Sequence, residues 1–178
     1  DPVRVANTFD LVATGDVIDG TPGSSATTMR FNVGAGNDIG SLVNFLDVAT
    51  NVLTVNNAGA AGADNVFLAN AGALQLNTLR AVNAVALRAG NAISDCGANG
   101  IVAITVGLNA LCGNNIGCLA NPLNLNATSL NITCALGTGN GAGNVFVTEA
   151  NALTLGTIRT CGSIKIAAAG DLDVATLV

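Results

Sequence analysis

The stretch Ile164-Lys165-Ile166-Ala167-Ala168-Ala169-Gly170-Asp171-Leu172-Asp173-Val174 alternates: Ile164, Ile166, Ala168, Gly170, Leu172 and Val174 fall on every second position. A period of two puts those residues on one face of an extended chain, whereas a helix needs spacings of three and four. The same rhythm runs through Phe9, Leu11, Ala13, Gly15 and Val17, and through Val85, Leu87, Ala89, Asn91 and Ile93. In each run a small residue and a Gly or Asn interrupt the branched aliphatics. Gly and Asn tolerate the positive φ that a corner demands.

The alternating runs repeat along the chain. Leu153, Leu155 and Ile158 return as Leu172, Val174 and Leu177, and Val145 and Val147 return as Ile164 and Ile166, each 19 residues on. Val66, Leu68 and Leu74 return at the same spacing as Val85, Leu87 and Ile93. In the middle, Ile104, Val106 and Leu111 are matched to Leu123, Leu125 and Leu130. A longer echo lies over the short one: 10 of the 25 positions from Asn65 to Ala89 recur without a gap 79 residues later. The short period predicts that this echo is four turns of 19 plus a small insert. Gly- and Asn-rich inserts fall at Asn56–Asp64 and Gly137–Asn144.

A unit of about 19 residues holds two short strands and two corners. Antiparallel hairpins do not return one residue type at a fixed spacing, but a solenoid does, because each Leu sits over the Leu of the turn below. The expectation is therefore all-β: a parallel β-helix (β-solenoid) with about 19 residues per turn. About nine turns at about 4.8 Å give a rod of roughly 40 Å. A core column of Leu, Val, Ile and Ala suits a chain with five Phe, no Trp and no Tyr. A leucine-rich repeat is the nearest competitor, since Leu74-x-Leu76-x-x-Leu79 fits half its pattern, but the Asn that should follow is missing and the unit has no room for a helix. Residues 1–42 read as a less regular N-terminal segment, a cap or docking region, and 43–178 as the repeats.

Charged residues make up 10% of the chain, with 11 acids and 6 bases for a net charge of −5, and none between Asp95 and Glu149. The bases do not cluster and lack interleaved aromatics, which argues against nucleic acid. No run of 18 apolar residues occurs, so no membrane-spanning helix is expected. The alternation also resembles outer-membrane barrel strands, but their aromatic girdles need the missing Trp and Tyr. A weakly charged surface suits packing against other copies. The opening Asp1-Pro2, without Met, reads as a processed protein or an excised fragment.

The five cysteines, Cys96, Cys112, Cys118, Cys134 and Cys161, sit in the second half. With no His and no C-x-x-C, metal ligation and an activated thiol are both poorly supported. Disulfides in an oxidising compartment are the better reading. Cys112 and Cys118 bracket a small loop; alternatively, Cys118 and Cys134 staple adjacent turns. One cysteine is left over, free or paired with another chain. No metal or cofactor is expected. Gly34-Ala35-Gly36-Asn37-Asp38-Ile39 partly matches a calcium-binding nonapeptide, but a true site needs consecutive copies. Asp16, Asp19 and Asp38 are therefore read as turn residues. Arg80 and Arg159, equivalent in the 79-residue echo, read as outward residues copied with their repeat. Asn126-Ala127-Thr128 and Asn131-Ile132-Thr133 are glycosylation sequons that a chain rich in Asn and Thr yields by chance. Scattered acids, and Lys165 and the arginines without nearby partners, argue against an enzyme.

The runs from Gly162 to Val174 and from Ala152 to Ile158 resemble filamentous-haemagglutinin-type repeats of two-partner-secretion exoproteins. The resemblance implies a right-handed parallel β-helix, export to the cell surface and a role as adhesin shaft or filament. The chain ends at Asp171–Val178 in repeat register, so Leu172, Val174, Leu177 and Val178 form the expected assembly end. The functional expectation is a non-enzymatic extracellular rod that polymerises head to tail with itself. The alternative is an adhesin module that binds a receptor or cell-surface glycan through the inserts Asn56–Asp64 and Gly137–Asn144.

Overall fold

The computed structural model describes residues 2–18, 23–55, 63–95, 100–134 and 142–177. Most of both inserts, Cys96 and Val178 therefore lie outside the described residues, as does Asp19. Sixteen strands follow one another: β1 (Thr8–Ala13), β2 (Ser24–Ser25), β3 (Thr28–Val33), β4 (Leu46–Ala49), β5 (Val52–Val55), β6 (Ala63–Asn70), β7 (Leu74–Ala89) and β8 (Ile93–Asp95). They continue as β9 (Ile101–Val102), β10 (Thr105–Ala110), β11 (Leu123–Asn126), β12 (Ser129–Cys134), β13 (Val145–Glu149), β14 (Leu153–Ile158), β15 (Ile164–Ala168) and β16 (Leu172–Leu177).

Every strand pairing among them is parallel. One face is built from β1, β3, β5, the first half of β7, β8 with β9, β11, β13 and β15. The opposite face takes β2, β4, β6, the second half of β7, β10, β12, β14 and β16. The chain is a β-solenoid with two strands per turn. It makes about 7 turns of about 21 residues rather than nine of 19, so the rod is about 35 Å long at about 4.8 Å per turn.

Alternate residues point inward and stack turn on turn. One column runs Val17, Ile39, Val66, Val85, Val106, Leu130, Leu155, Val174. The facing column includes Leu74, Ile93, Ile116, Val145 and Ile164. Apart from the end members, these side chains are buried. Burying one aliphatic side chain contributes about 1.5–3 kcal/mol, and each turn repeats the gain while its backbone bonds to the turns above and below.

The registers near both echo copies are those the sequence predicts: Leu153 on Leu172, Leu155 on Val174, Ile158 on Leu177, Val145 on Ile164, Val147 on Ile166, Val66 on Val85, Leu68 on Leu87 and Leu74 on Ile93. The middle register differs. Val106 stacks on Leu130 and Leu108 on Ile132, 24 positions apart, and Ile104 is exposed. The reason is an extruded loop. Ile116 and Leu123 pair with Val145 and Val147, which are only two positions apart, so 117–122 leaves the ladder and returns to it. Loop 40–45 does the same between Ile39 and Leu46, which pair with Val66 and Leu68.

That geometry also corrects the meaning of the 79-residue echo. Val66 reaches Leu130 in three turns through Val85 and Val106, whereas Val145, its echo, lies half a turn further on, in the facing column. The echo is three and a half turns, and its two copies lie on opposite faces of the rod.

Gly40 and Gly117 show how closely the copies agree. Their φ values are +67° and +69°, and a Cβ on either would lie 2.2 Å from the carbonyl oxygen of Phe67 or Phe146, respectively. Only glycine lets the loop leave the ladder while the next turn passes this close.

Candidate functional site

The expected assembly end is where the apolar column opens. In β14, Leu153 and Leu155 are buried; one turn on, Leu172 is 41% and Val174 55% exposed. Ile164, at 37%, and the half-buried Ile166 face them from β15. Leu177 pairs through its backbone with Ile158; its side chain and Val178 lie outside the described residues. Among the described residues, β15 and β16 pair only with β13 and β14, so one edge of each presents unpaired N–H and C=O groups. Ile164 and Ile166 belong to the same surface. Sequence reasoning did not name them there, although their spacing from Val145 and Val147 carried the signal. Lys165, Asp171 and Asp173 are exposed around this end. At the other end, Phe9, Leu11 and Ala13 of β1 are half-buried, with Phe9 edge-on to Phe31.

The acids fill two kinds of place. Asp16 Oδ1 accepts the Asp38 N–H at 2.8 Å, Asp38 Oδ1 accepts the backbone and side-chain N–H groups of Asn65 at 3.0 Å, and Asp64 Oδ1 accepts the Gly36 N–H at 3.2 Å. Asp16 and Asp38 lie between strands and Asp64 within β6, each bonding one turn to the next, and no group of three or more metal-ligating side chains occurs among the described residues. Asp95 and Glu149 are different, because both are buried. Asp95 Oδ2 accepts the Asn124 backbone N–H at 3.3 Å and its Nδ2–H at 2.9 Å. Glu149 accepts the Ala127 N–H through Oε2 at 3.0 Å and the Asn151 N–H through Oε1 at 3.1 Å. Each carboxylate replaces a missing backbone acceptor at a corner, as buried polar groups require. The sequence signal for both is phase: Asp95 alternates with Ile93, and Glu149 with Val147.

Cys118 and Cys161 are free and exposed, so neither expected pairing of Cys118, with Cys112 or with Cys134, forms. Cys118 sits in the extruded loop 117–122, where its Sγ accepts the Asn121 N–H at 3.3 Å and its backbone closes a turn with Asn121. Cys112 is not a free thiol, while Cys96 and the side chain of Cys134 lie outside the described residues. Arg80 and Arg159 are both exposed. Of the two sequon asparagines, Asn126 is exposed. Asn131 is half-buried, with its Oδ1 accepting the Thr157 N–H at 2.9 Å. No helix among the described residues is long and apolar enough to cross a membrane.

The arrangement stacks a parallel ladder turn on turn and displays loops from two opposite faces. No protein-family model matches the chain, and neither a curated protein nor a solved structure matches it.

Proposed function

We propose that this chain is a non-enzymatic, extracellular structural rod that stacks on other copies of itself end to end, as a filament or adhesin shaft of the filamentous-haemagglutinin type. The observation that carries this reading is the ladder itself: every pairing among the described strands is parallel, so each turn lays the same two strand edges and the same apolar columns against the next. Such an edge is a template for further pairing. A second copy supplies it in the right order: β1 belongs to the same face as β15 and its Leu11 lies in the column that ends at Ala168, so its Phe9 and Leu11 cover Ile166 and Ala168 and continue the ladder. Head-to-tail contacts of this kind do not close on themselves and generate filaments. A thiol already engaged at Cys112 supports an oxidising compartment.

Small-angle scattering and negative-stain microscopy across a concentration series test it. The expected particles lengthen in steps of about 35 Å, one rod each. The double variant Leu172→Lys with Val174→Lys stays at a single rod. Wild-type protein that stays at one rod length at every concentration contradicts the assembly reading.

A further inference from the structure

On the outer side of β6, β7 and β10, loop 40–45 folds back over the sheet and walls a cleft. Leu42 and Phe45 stand on the loop side, Gly107 lies on the floor, and Arg88, Asn109 and Thr133 run along the far side. The last three occupy one outward row, one residue per turn, so they are spaced at about 4.8 Å. Phe45 is buried edge-on against Phe67, with ring centroids 5.9 Å apart. The Arg88 guanidinium carbon lies 3.7 Å from the centre of the Phe45 ring.

We infer that this cleft binds a carboxylate-bearing saccharide, with the carboxylate on Arg88. The aromatic ring holds one flat side of the guanidinium, which leaves its N–H edge for a planar oxyanion, the geometry Arg recognises through two parallel hydrogen bonds. Arg88 makes no ion pair among the described residues. The acid in its own outward row is Asp47, two turns away and engaged elsewhere. Beside Arg88, Asn109 Oδ1 is buried without a hydrogen-bond partner among the described residues, a state that native structures rarely leave unanswered. Rotation of its amide turns that oxygen into the cleft, where a sugar hydroxyl donates to it. The Thr133 hydroxyl lies one turn further on, and exposed Leu42 offers an apolar edge to the C–H side of a ring. A peptide suits the cleft less well. The floor is a sheet face whose backbone groups are already paired, so an extended peptide finds no strand to join.

The equivalent place in the other echo copy supports the assignment. There loop 117–122 takes the same path, but Pro122 stands for Phe45 and Ala167 for Arg88. That loop lacks both parts of the clamp.

The test uses the whole chain and trigalacturonate as probe, followed by amide chemical shifts and calorimetry. The expected result is saturable binding with shifts at Arg88, Asn109 and Thr133. Arg88→Gln should weaken it at least about tenfold, with thermal melting reporting whether the variant is folded. Ala167→Arg, on the opposite face, leaves the affinity unchanged. The uncharged methyl ester of the same trisaccharide should bind at least about tenfold more weakly. Equal binding of that ester, equal binding of acetate, unchanged affinity in folded Arg88→Gln, or shifts spread over the other arginines would each overturn the inference.

Discussion

Loop 40–45 leaves one face of the rod and loop 117–122 leaves the other, three and a half turns along, by the same backbone path. Both begin at a glycine under the next turn's carbonyl, both close with an Asn four residues after that glycine, and both are followed by an inward Leu. Asp38 receives two hydrogen bonds from Asn65, and in the other copy Asn115 receives the same two from Asn144. At the next corner Asn70 Oδ1 accepts the Thr50 N–H, and Glu149 Oε2 accepts the Ala127 N–H. The side chains outside this scaffold diverge. The first copy has Asp38, Asp47 and Asp64 where the second has Asn115, Asn124 and Gly143, and it has Phe45 and Arg88 where the second has Pro122 and Ala167. Glycines, corner acceptors and inward aliphatics define the path, while outward positions are free to carry different chemistry on each face.

The comparison is broken most severely at the glycines. Gly40→Ala and Gly117→Ala should each destabilise the fold by about 3 kcal/mol or more, because each adds a backbone clash to a left-handed φ. Denaturant unfolding measures both, and a silent substitution at either site means that the two loops do not share a path. Next come the corner acceptors. Asn70→Ala and Glu149→Ala each strand a buried backbone N–H, at a cost of about 1–3 kcal/mol. Equal losses by the same measurement fit one role filled by two residue types.

These corners also show what the sequence made legible. Alternation and the 19-residue spacing place strands, inward residues and register wherever two turns follow without an extruded loop, as at Val66 and Val85 or Leu155 and Val174. The middle was misread because residues 117–122 lengthen one turn without disturbing the local rhythm, so Ile104 passed for a core residue stacked on Leu123. Counting by 19 then turned three and a half turns into four. Asp95 and Glu149 were passed over because a charged residue is expected outside, although their phase put them inside. The column positions of Leu172 and Val174 were legible from phase alone. The cleft at Arg88 was not, because it depends on a loop folding onto the outer side of the sheet, a contact with no period to betray it.

The smallest expected effect is at the thiols. Cys118 and Cys161 should alkylate in the folded protein without reductant, and Ser41→Cys, at the position equivalent to Cys118, should react alongside them. None of these changes stability beyond about 0.5 kcal/mol. Cys112 should react only after reduction and unfolding, as peptide mass mapping will show.

The central claim is the register that puts the two copies on opposite faces, and methyl–methyl nuclear Overhauser contacts test it most directly. The structure predicts contacts between Val106 and Leu130 and between Ile116 and Val145, in separate columns. Contacts from Ile104 to Leu123 and from Val106 to Leu125 would restore a uniform 19-residue turn, return both copies to one face and contradict the account.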